Sequence, residues 1–279
     1  MKCRTALTAL TMILAAAATS VAAAQTPAGS PLMRARQAYN AGEFDAAIAA
    51  ATDARRTPAT AAPANVVYAR ALLERFRLQS DGADLVAAHD VLMLVDPMRL
   101  SAAERLDYTV ALAITTYFEG RPGVAAELLE TLLDGAAASS SSLLGDRRAL
   151  FDWWATAADR AAQLAPDLGK HDFYLRIVRR SEAELAHDAA SIPAGYWLAA
   201  GARGAGDLDR AWHAAIAAWI RSRTNGRRDI ARADLDHLVT TAIIPERARA
   251  LEKGDAATRD HTALIAAMRA EWEQIKIAW

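Results

Sequence analysis

The sequence predicts an all-α protein assembled from antiparallel helix pairs. Apolar residues recur at helical spacing along most of the 279-residue chain, and no segment keeps the alternation of a strand over more than a few residues. One turn pattern also recurs: a small residue, an apolar residue two positions later, and alanine three positions after that. Its four copies are Gly42/Phe44/Ala47, Ala83/Leu85/Ala88, Gly120/Pro122/Ala125 and Gly206/Leu208/Ala211.

The first 24 residues have the pattern of a secretory signal peptide. Lys2 and Arg4 precede an uncharged run over residues 5–24 that ends in small residues, so we expect cleavage after Ala24. The alternative is an uncleaved N-terminal anchor, because about 20 apolar residues can span a bilayer. Cys3, the single cysteine, lies ahead of the run, which argues against lipidation and leaves the mature chain without disulfides.

Charge and hydropathy narrow the class of partner. The formal net charge of the chain is −1, which favours neither nucleic acid nor an anionic membrane as the principal partner. No apolar run after residue 24 approaches the length of a membrane span, so we expect no integral membrane segment once the signal is cleaved. Because of the predicted signal peptide, we expect the protein to be exported into the periplasm or the extracellular space.

N-terminal helical repeats are predicted for residues 32–134, after a flexible lead-in at residues 25–31. Residues 56–64 are rich in proline, alanine and threonine and join the first pair to the second. Ser101 and Glu104 form a capping box before a helix that runs through Phe118. The helix that follows this one carries Ala125, Leu128, Leu129 and Leu132 on one stripe.

A loop of alanine and serine at residues 135–145 separates these repeats from the C-terminal helical repeats and capping helices of residues 146–279. The interval from Gly120 to Gly206 is long enough for two helix pairs, and Pro166–Leu168 is a candidate for the additional turn. Helical patterns after the last pair occupy residues 230–242, 245–252 and 258–278. The final helix, with Met268 and Trp272 on its apolar side, is expected to cap the stack.

Residues 192–220 form the clearest pair. Gly206 can end its first helix in a left-handed conformation, and the Asp207 side chain can cap the second. The second helix has one apolar stripe, formed by Leu208, Ala211, Trp212, Ala215, Ile216 and Trp219.

The pair at residues 192–220 resembles the tetratricopeptide repeat, a helix–turn–helix unit of about 34 residues. Two sets of residues look like the positions of that repeat: Leu198, Ala199, Gly206, Leu208, Ala211 and Ala218, and again Gly42, Phe44, Ala47 and Ala54. The resemblance covers most of residues 32–220, with intervals longer than the family's unit. It implies a right-handed superhelix of antiparallel helix pairs, an α-solenoid, with a C-terminal capping helix.

In such a stack the first helices line a groove that holds an extended peptide or a segment of a partner protein. The resemblance places nine residues in this groove: Arg36, Tyr39, Asn40, Arg70, Glu74, Asp107, Tyr117, Tyr196 and Arg203. Their alternative role is that of solvated or inter-repeat residues. We therefore expect a non-catalytic binding or scaffolding module of a bacterial-type cell envelope, whose partner contacts either the groove or the convex face.

Motifs for catalysis and for cofactors were sought, and none indicates an enzyme, a metal or another cofactor. The six histidines lack the paired spacing of zinc proteases, and Asp234, Asp236 and His237 offer at most two ligands on one face. A surface salt bridge is the simpler interpretation of that cluster. Residues 201–206 are glycine-rich, but they lack the preceding strand that a dinucleotide-binding loop requires.

Aromatic and basic residues leave two alternatives open. All seven tryptophans lie in the second half, so a helical envelope enzyme or carbohydrate-binding domain could contact cell-wall glycan through Trp153 or Trp154. Core packing competes with that interpretation. A basic segment reads as a solvated loop, with contact to an acidic partner or lipid headgroups as the alternative; it comprises Arg221, Arg223, Arg227, Arg228 and Arg232.

Overall fold

The computed structural model describes residues 29–135, 147–224, 228–254 and 260–279. Within these ranges the protein is all-α, with no strand. The predicted signal peptide, all but the end of the lead-in, and nearly all of the alanine- and serine-rich loop lie outside the described residues. The prediction of an all-α fold is confirmed for the described part of the chain.

Five helix pairs follow one another along the chain. They are α1 (Pro31–Asn40) with α2 (Phe44–Ala54), α3 (Ala61–Gln79) with α4 (Gly82–Met93), α5 (Ala102–Phe118) with α6 (Pro122–Asp134), α7 (Arg147–Leu164) with α8 (Asp167–His187), and α9 (Ile192–Gly204) with α10 (Leu208–Arg221). The helices of each pair pack together, and each second helix also packs against the first helix of the next pair. This arrangement is compatible with a helical repeat.

The chain continues beyond the fifth pair through α11 (Arg228–Leu238), a π-helical segment (Val239–Ile243), α12 (Ile244–Gly254) and α13 (His261–Ala278). The π-helical segment ends two residues before Pro245, which lies in the first turn of α12. Proline has no N–H and its ring crowds the carbonyl four residues earlier, here that of Thr241, so the α-helical bond pattern cannot continue there. Short 3-10 turns occur at Pro97–Arg99 and Ser222–Thr224.

Three of the four predicted turns have the expected geometry. Gly42, Gly120 and Gly206 have φ angles of 77°, 82° and 86°, a left-handed conformation in which a residue with a Cβ is strained. Five residues after each glycine lies a fully buried alanine, at positions 47, 125 and 211. The small side chain lets the two helices of a pair approach closely.

The second copy of the pattern does not form the turn as predicted. Ala83 lies in the first turn of α4, and the left-handed residue is Ser80, with a φ angle of 58°. Asp81 caps α4 by accepting a hydrogen bond from the Ala83 backbone N–H at 3.0 Å. The prediction also placed a linker at residues 56–64, but α3 already begins at Ala61.

Caps at the other helix starts confirm the local predictions. Ser101 and Glu104 form the reciprocal capping box, with N–H···O distances of 2.8 and 3.3 Å. Asp207 accepts from the Arg210 backbone N–H at 3.0 Å. The predicted additional pair is α7 with α8, and Pro166 occupies the N-cap position of α8.

The buried core continues through the last pair into the C-terminal helices. Trp272 of α13 is fully buried, and its ring centroid lies 5.3 Å from that of Trp219 and 6.0 Å from that of Trp212, both on α10. The Trp272 Nε1–H donates to Asp236 of α11 at 2.7 Å. Helix α13 therefore packs against α12 and contributes Trp272 to the core that α10 and α11 share.

Candidate binding face of the first helices

The first helices of neighbouring pairs lie side by side. Helix α1 packs against α3, α3 against α5, and α7 against α9. Between α5 and α7 the link is a contact of aromatic rings, in which the centroids of Tyr117 and Trp153 are 6.0 Å apart. We call the solvent-accessible side of α1, α3, α5, α7 and α9 the first-helix face.

Three of the predicted groove residues, Tyr39, Arg70 and Asp107, form one interior cluster between α1, α3 and α5. The Nε and Nη2 atoms of Arg70 donate to the Tyr39 hydroxyl at 3.2 and 2.7 Å, and Asp107 and Glu74 act on both residues through their charges. Arg70 and Asp107 are 2% and 1% exposed. Burial raises the pKa of Tyr39, while the charge of Arg70 opposes the increase.

The burial of this cluster excludes direct contact with a partner. Tyr39, Arg70 and Asp107 have almost no surface on which a partner could bind, so their charges and hydrogen bonds hold three helices together. The Nη1 atom of Arg70 is buried and has no hydrogen-bond partner in the described part of the chain. A charge reversal at Arg70 would therefore test folding rather than binding.

Three other predicted residues lie at or near the surface of the same three pairs. Arg36 donates to Glu104 at 2.6 Å and thereby joins α1 to α5. Burial alone would raise the pKa of Glu104, but hydrogen bonds from Ser101 and the charge of Arg36 hold that pKa below its usual range. Glu74 accepts from the Arg77 Nε at 2.9 Å, and Asn40 is exposed at the end of α1.

An aromatic cluster joins α3, α5 and α7 next to these residues. The rings of Phe76 and Phe118 have centroids 4.9 Å apart, and Trp153 is 6.1 Å from Phe118, all with edge-to-face geometry. Tyr117, a predicted groove residue, contacts both Phe118 and Trp153. All four rings are partly exposed, so this cluster offers both a packed surface and an accessible one.

Helix α9 carries the remaining two predicted residues, Tyr196 and Arg203, two helical turns apart. The Nε and Nη2 atoms of Arg203 donate to Glu246 of α12 at 3.0 and 2.6 Å, and these bonds raise the pKa of the guanidinium. The Tyr196 hydroxyl makes no hydrogen bond to any described residue, and its ring lies edge-to-face against Trp197. Tyr196 is thus an available donor on the first-helix face.

Three aspartates that the sequence did not associate with Tyr196 act on it through their charges. Asp152 and Asp159 lie two turns apart on α7, and Asp234 lies on α11. Burial raises the pKa of Tyr196, and the charges of all three carboxylates raise it further. The Trp197 Nε1–H donates to Asp152 at 2.7 Å.

The carboxyl groups of α7 are partly enclosed. The pKa values of Asp152 and Asp159 are raised chiefly by desolvation, although Asp152 keeps an accessible surface. The sequence signal for this set was the seven-residue spacing of the two aspartates, which matches the spacing of Tyr196 and Arg203 on α9.

Ion pairs also link the helices on the other side of the pairs. Arg176 of α8 bonds to Glu127 of α6 at 2.7 Å, and Arg247 of α12 bonds to Asp209 of α10 at 2.9 Å. The same surface contains further ion pairs: Arg176 with Glu130, Arg180 with Asp134, and Arg210 with Glu182. Asp152 of α7 and Asp234 of α11 make no ion pair with any described residue, and the same is true of Asp90 on α4 and of Asp167 and Asp172 on α8.

The residues considered for metal binding and for glycan binding have the following surroundings in the structure. Within the described ranges, no group of three histidines, aspartates or glutamates could hold a metal ion. Asp236 instead binds Lys276 at 2.9 Å. Trp154, one of the two tryptophans proposed to contact glycan, is fully buried, whereas Trp153 and Trp197 are partly exposed.

The basic segment is only partly a loop. Arg232 belongs to α11, where its guanidinium lies 4.4 Å from the centroid of Trp219 and donates to Ser222 at 2.7 Å. It is therefore a packed residue, contrary to the prediction of a solvated loop. Arg221 ends α10, Arg223 lies in the 3-10 turn, and Arg227 and the side chain of Arg228 lie outside the described part.

None of the described helices has the length and apolar character required to cross a bilayer. No protein-family model matches the chain, and no curated protein or solved structure does either. The proposal of a function below therefore rests on the residues of the first-helix face.

Proposed function

We propose that the protein is a non-catalytic binding module that holds an extended segment of a partner protein against its first-helix face. Its stacked pairs would form a right-handed, tetratricopeptide-like superhelix with this face on the concave side. One observation carries the proposal: accessible aromatic side chains follow one another across adjacent first helices, at Tyr117 of α5, Trp153 of α7 and Tyr196 of α9. Rows of this kind suit an extended chain, because they contact successive residues of it.

The nine predicted groove residues divide into two roles under this proposal. Tyr39, Arg70 and Asp107 set the packing of α1, α3 and α5 and do not touch the partner. The accessible residues contact the partner; they are Arg36, Asn40, Glu74, Tyr117, Tyr196 and Arg203. Arg36 and Arg203 already bind Glu104 and Glu246, so a partner must compete with those ion pairs at these two positions.

The site of action that we propose is the cell envelope, in the periplasm or outside the cell. The leader pattern at residues 1–24 supports export. A scaffold that uses the second-helix side is the main competing arrangement, although neighbouring ion pairs already neutralise much of the charge there.

A glycan-binding role is the second candidate, and the partial exposure of Trp153 and Trp197 is the observation in its favour. Sugars stack on accessible aromatic faces, whereas the Trp153 ring already packs against Tyr117 and Phe118. The partner-protein proposal accounts for the row of aromatic side chains across α5, α7 and α9.

Affinity capture from the native envelope tests this proposal with two matched variants. Ala200 on α9 lies one turn from both Tyr196 and Arg203, and Ala217 lies on α10; both alanines are partly exposed in mid-helix. We expect Ala200→Glu to abolish capture of the partner and Ala217→Glu to leave it intact, with unchanged circular dichroism for both. Loss of capture with Ala217→Glu alone would assign binding to the second helices and overturn the proposal.

A further inference from the structure

We propose that Met93 and Met98 are an oxidation site, at which a hydroperoxide converts both thioethers to sulfoxides and makes an apolar part of the surface polar. Both residues belong to the segment that ends α4 and leads into α5, residues 93–98, which we call the methionine loop. Met98 is 87% exposed, Leu94 73% and Met93 56%. No residue of this loop lies on a first helix, so the site is separate from the proposed binding face.

Hydrogen bonds and buried side chains fix the backbone of the methionine loop. Val95 and Leu100 are buried in a cluster with residues of α1 and α3. Between them, Asp96 accepts a hydrogen bond from the Met98 backbone N–H at 3.0 Å and caps the 3-10 turn. The Leu100 N–H donates to the Pro97 carbonyl at 3.2 Å. The exposure of Met98 is therefore a property of the folded chain and does not require local opening.

The exported chain offers a peroxide no thiol. Cys3 is the only cysteine, and it lies in the predicted signal peptide, so cleavage of that peptide removes the residue that competes best for the oxidant. Three of the four methionines in the described ranges are exposed, at positions 33, 93 and 98. The fourth, Met268, is 5% exposed and belongs to the core cluster of α10, α11 and α13.

The reaction requires only that the oxidant reach the sulfur. The thioether sulfur attacks the hydroxyl oxygen of the hydroperoxide, so that an S–O bond forms and the O–O bond breaks. The hydroxyl proton passes to the other oxygen, which leaves as water or an alcohol. The sulfur is oxidised by two electrons, and the peroxide is reduced. A polar sulfoxide thereby replaces a flexible apolar side chain.

The position of each methionine determines what its oxidation does to the protein. A sulfoxide at position 93 or 98 stays hydrated, because these side chains are exposed. The same group at Met268 would place an unsatisfied polar oxygen in the core. The methionine loop can therefore change its surface chemistry while the fold remains intact, and reduction of the sulfoxides can reverse the change.

Mass spectrometry of the full chain, treated with hydrogen peroxide while folded, maps the site. Residues 78–99 form one tryptic peptide, in which fragment ions distinguish Met93 from Met98, and residues 260–269 form another that contains Met268. We expect Met93 and Met98 each to gain one oxygen at least about tenfold faster than Met268, which reacts only when its core opens. A rate at position 93 or 98 as slow as that at position 268 would overturn the site.

Hydrophobic-interaction chromatography tests whether these two residues control the surface. Met33, 53% exposed on α1, provides the matched control. Leucine keeps the volume and apolar character of methionine but has no sulfur to oxidise. After peroxide treatment we expect the wild type and Met33→Leu to elute earlier than before. The double variant Met93→Leu, Met98→Leu should lose most of that shift.

Three outcomes of these experiments would contradict the proposal. An equal shift in all three proteins would assign the change to other residues, and no shift in the wild type would show that oxidation leaves the accessible surface unaltered. We expect the urea midpoint of the oxidised wild type to equal that of the untreated protein, and methionine sulfoxide reductases to restore its retention. A lower midpoint together with oxidation of Met268 would show that the oxidant acts through unfolding of the chain.

Discussion

Replacement of Trp272 by alanine tests whether α13 is an integral cap of the stack. The indole is fully buried, lies against Trp212 and Trp219, and donates to Asp236. A buried tryptophan removes roughly 150–250 Å² from water, which at about 25 cal/mol per Å² corresponds to about 4–6 kcal/mol. Measured truncations of large core aromatics cost about 3–5 kcal/mol, so we expect a loss of unfolding free energy in that range.

Urea denaturation followed by circular dichroism measures this loss of unfolding free energy. Two reference variants are compared, one at position 272 itself and one elsewhere on α13. Trp272→Phe keeps much of the buried ring but removes the N–H donor to Asp236, which still binds Lys276, so we expect a loss of about 1–2 kcal/mol. Gln274→Ala changes an exposed residue of α13 and should stay within about 0.5 kcal/mol of the wild type. A Trp272→Ala loss below about 1 kcal/mol would refute the capping role.

Three further predictions concern the turns, the interior cluster and the response to pH. Gly206→Ala should destabilise the protein by about 1 kcal/mol because of its left-handed φ, whereas Gly82→Ala, at an unobstructed helical position, should stabilise it by about 0.4–1 kcal/mol in the same urea titration. Tyr39→Phe should cost about 1–3 kcal/mol by calorimetry, because two buried donors of Arg70 lose their acceptor; no loss would mean that the cluster does not bind the helices together. Burial raises the pKa of Tyr174 to about 12, above the ordinary value of 10.0, so this group should not affect the unfolding free energy below pH 10 and should lower it as pH rises towards 12. Tyr174→Phe should flatten that decline. An equally steep decline in the variant would show that Tyr174 is not its cause.

Local signals in the sequence were sufficient for much of the fold. The capping box at Ser101 and the glycine turns at Gly42, Gly120 and Gly206 depend on a few consecutive residues, and the structure confirms them. The left-handed turn residue Ser80 was not predicted, because left-handed conformations are uncommon for serine. The small residue of the repeated turn pattern is Ala83, so the turn was predicted there.

Contacts between distant helices could not be predicted in the same way. Arg70 was placed in the groove because of its position before a turn, but its burial depends on how α1 and α5 close over α3. Likewise, Asp152 and Asp234 are 82 positions apart, and both act electrostatically on Tyr196 only because α7, α9 and α11 pack together. Sequence periodicity assigns a residue to a helix face, and the packing of the helices decides whether that face is accessible.

Site-specific photo-crosslinking tests most directly whether the first-helix face is the binding face. A photoreactive amino acid replaces Ala200 on α9 in one protein and Ala217 on α10 in another, and each is irradiated in the native envelope. We expect position 200 to crosslink one extended segment of a single partner, and position 217 to give no such product. Crosslinks to that partner from position 217 and none from position 200 would contradict the account.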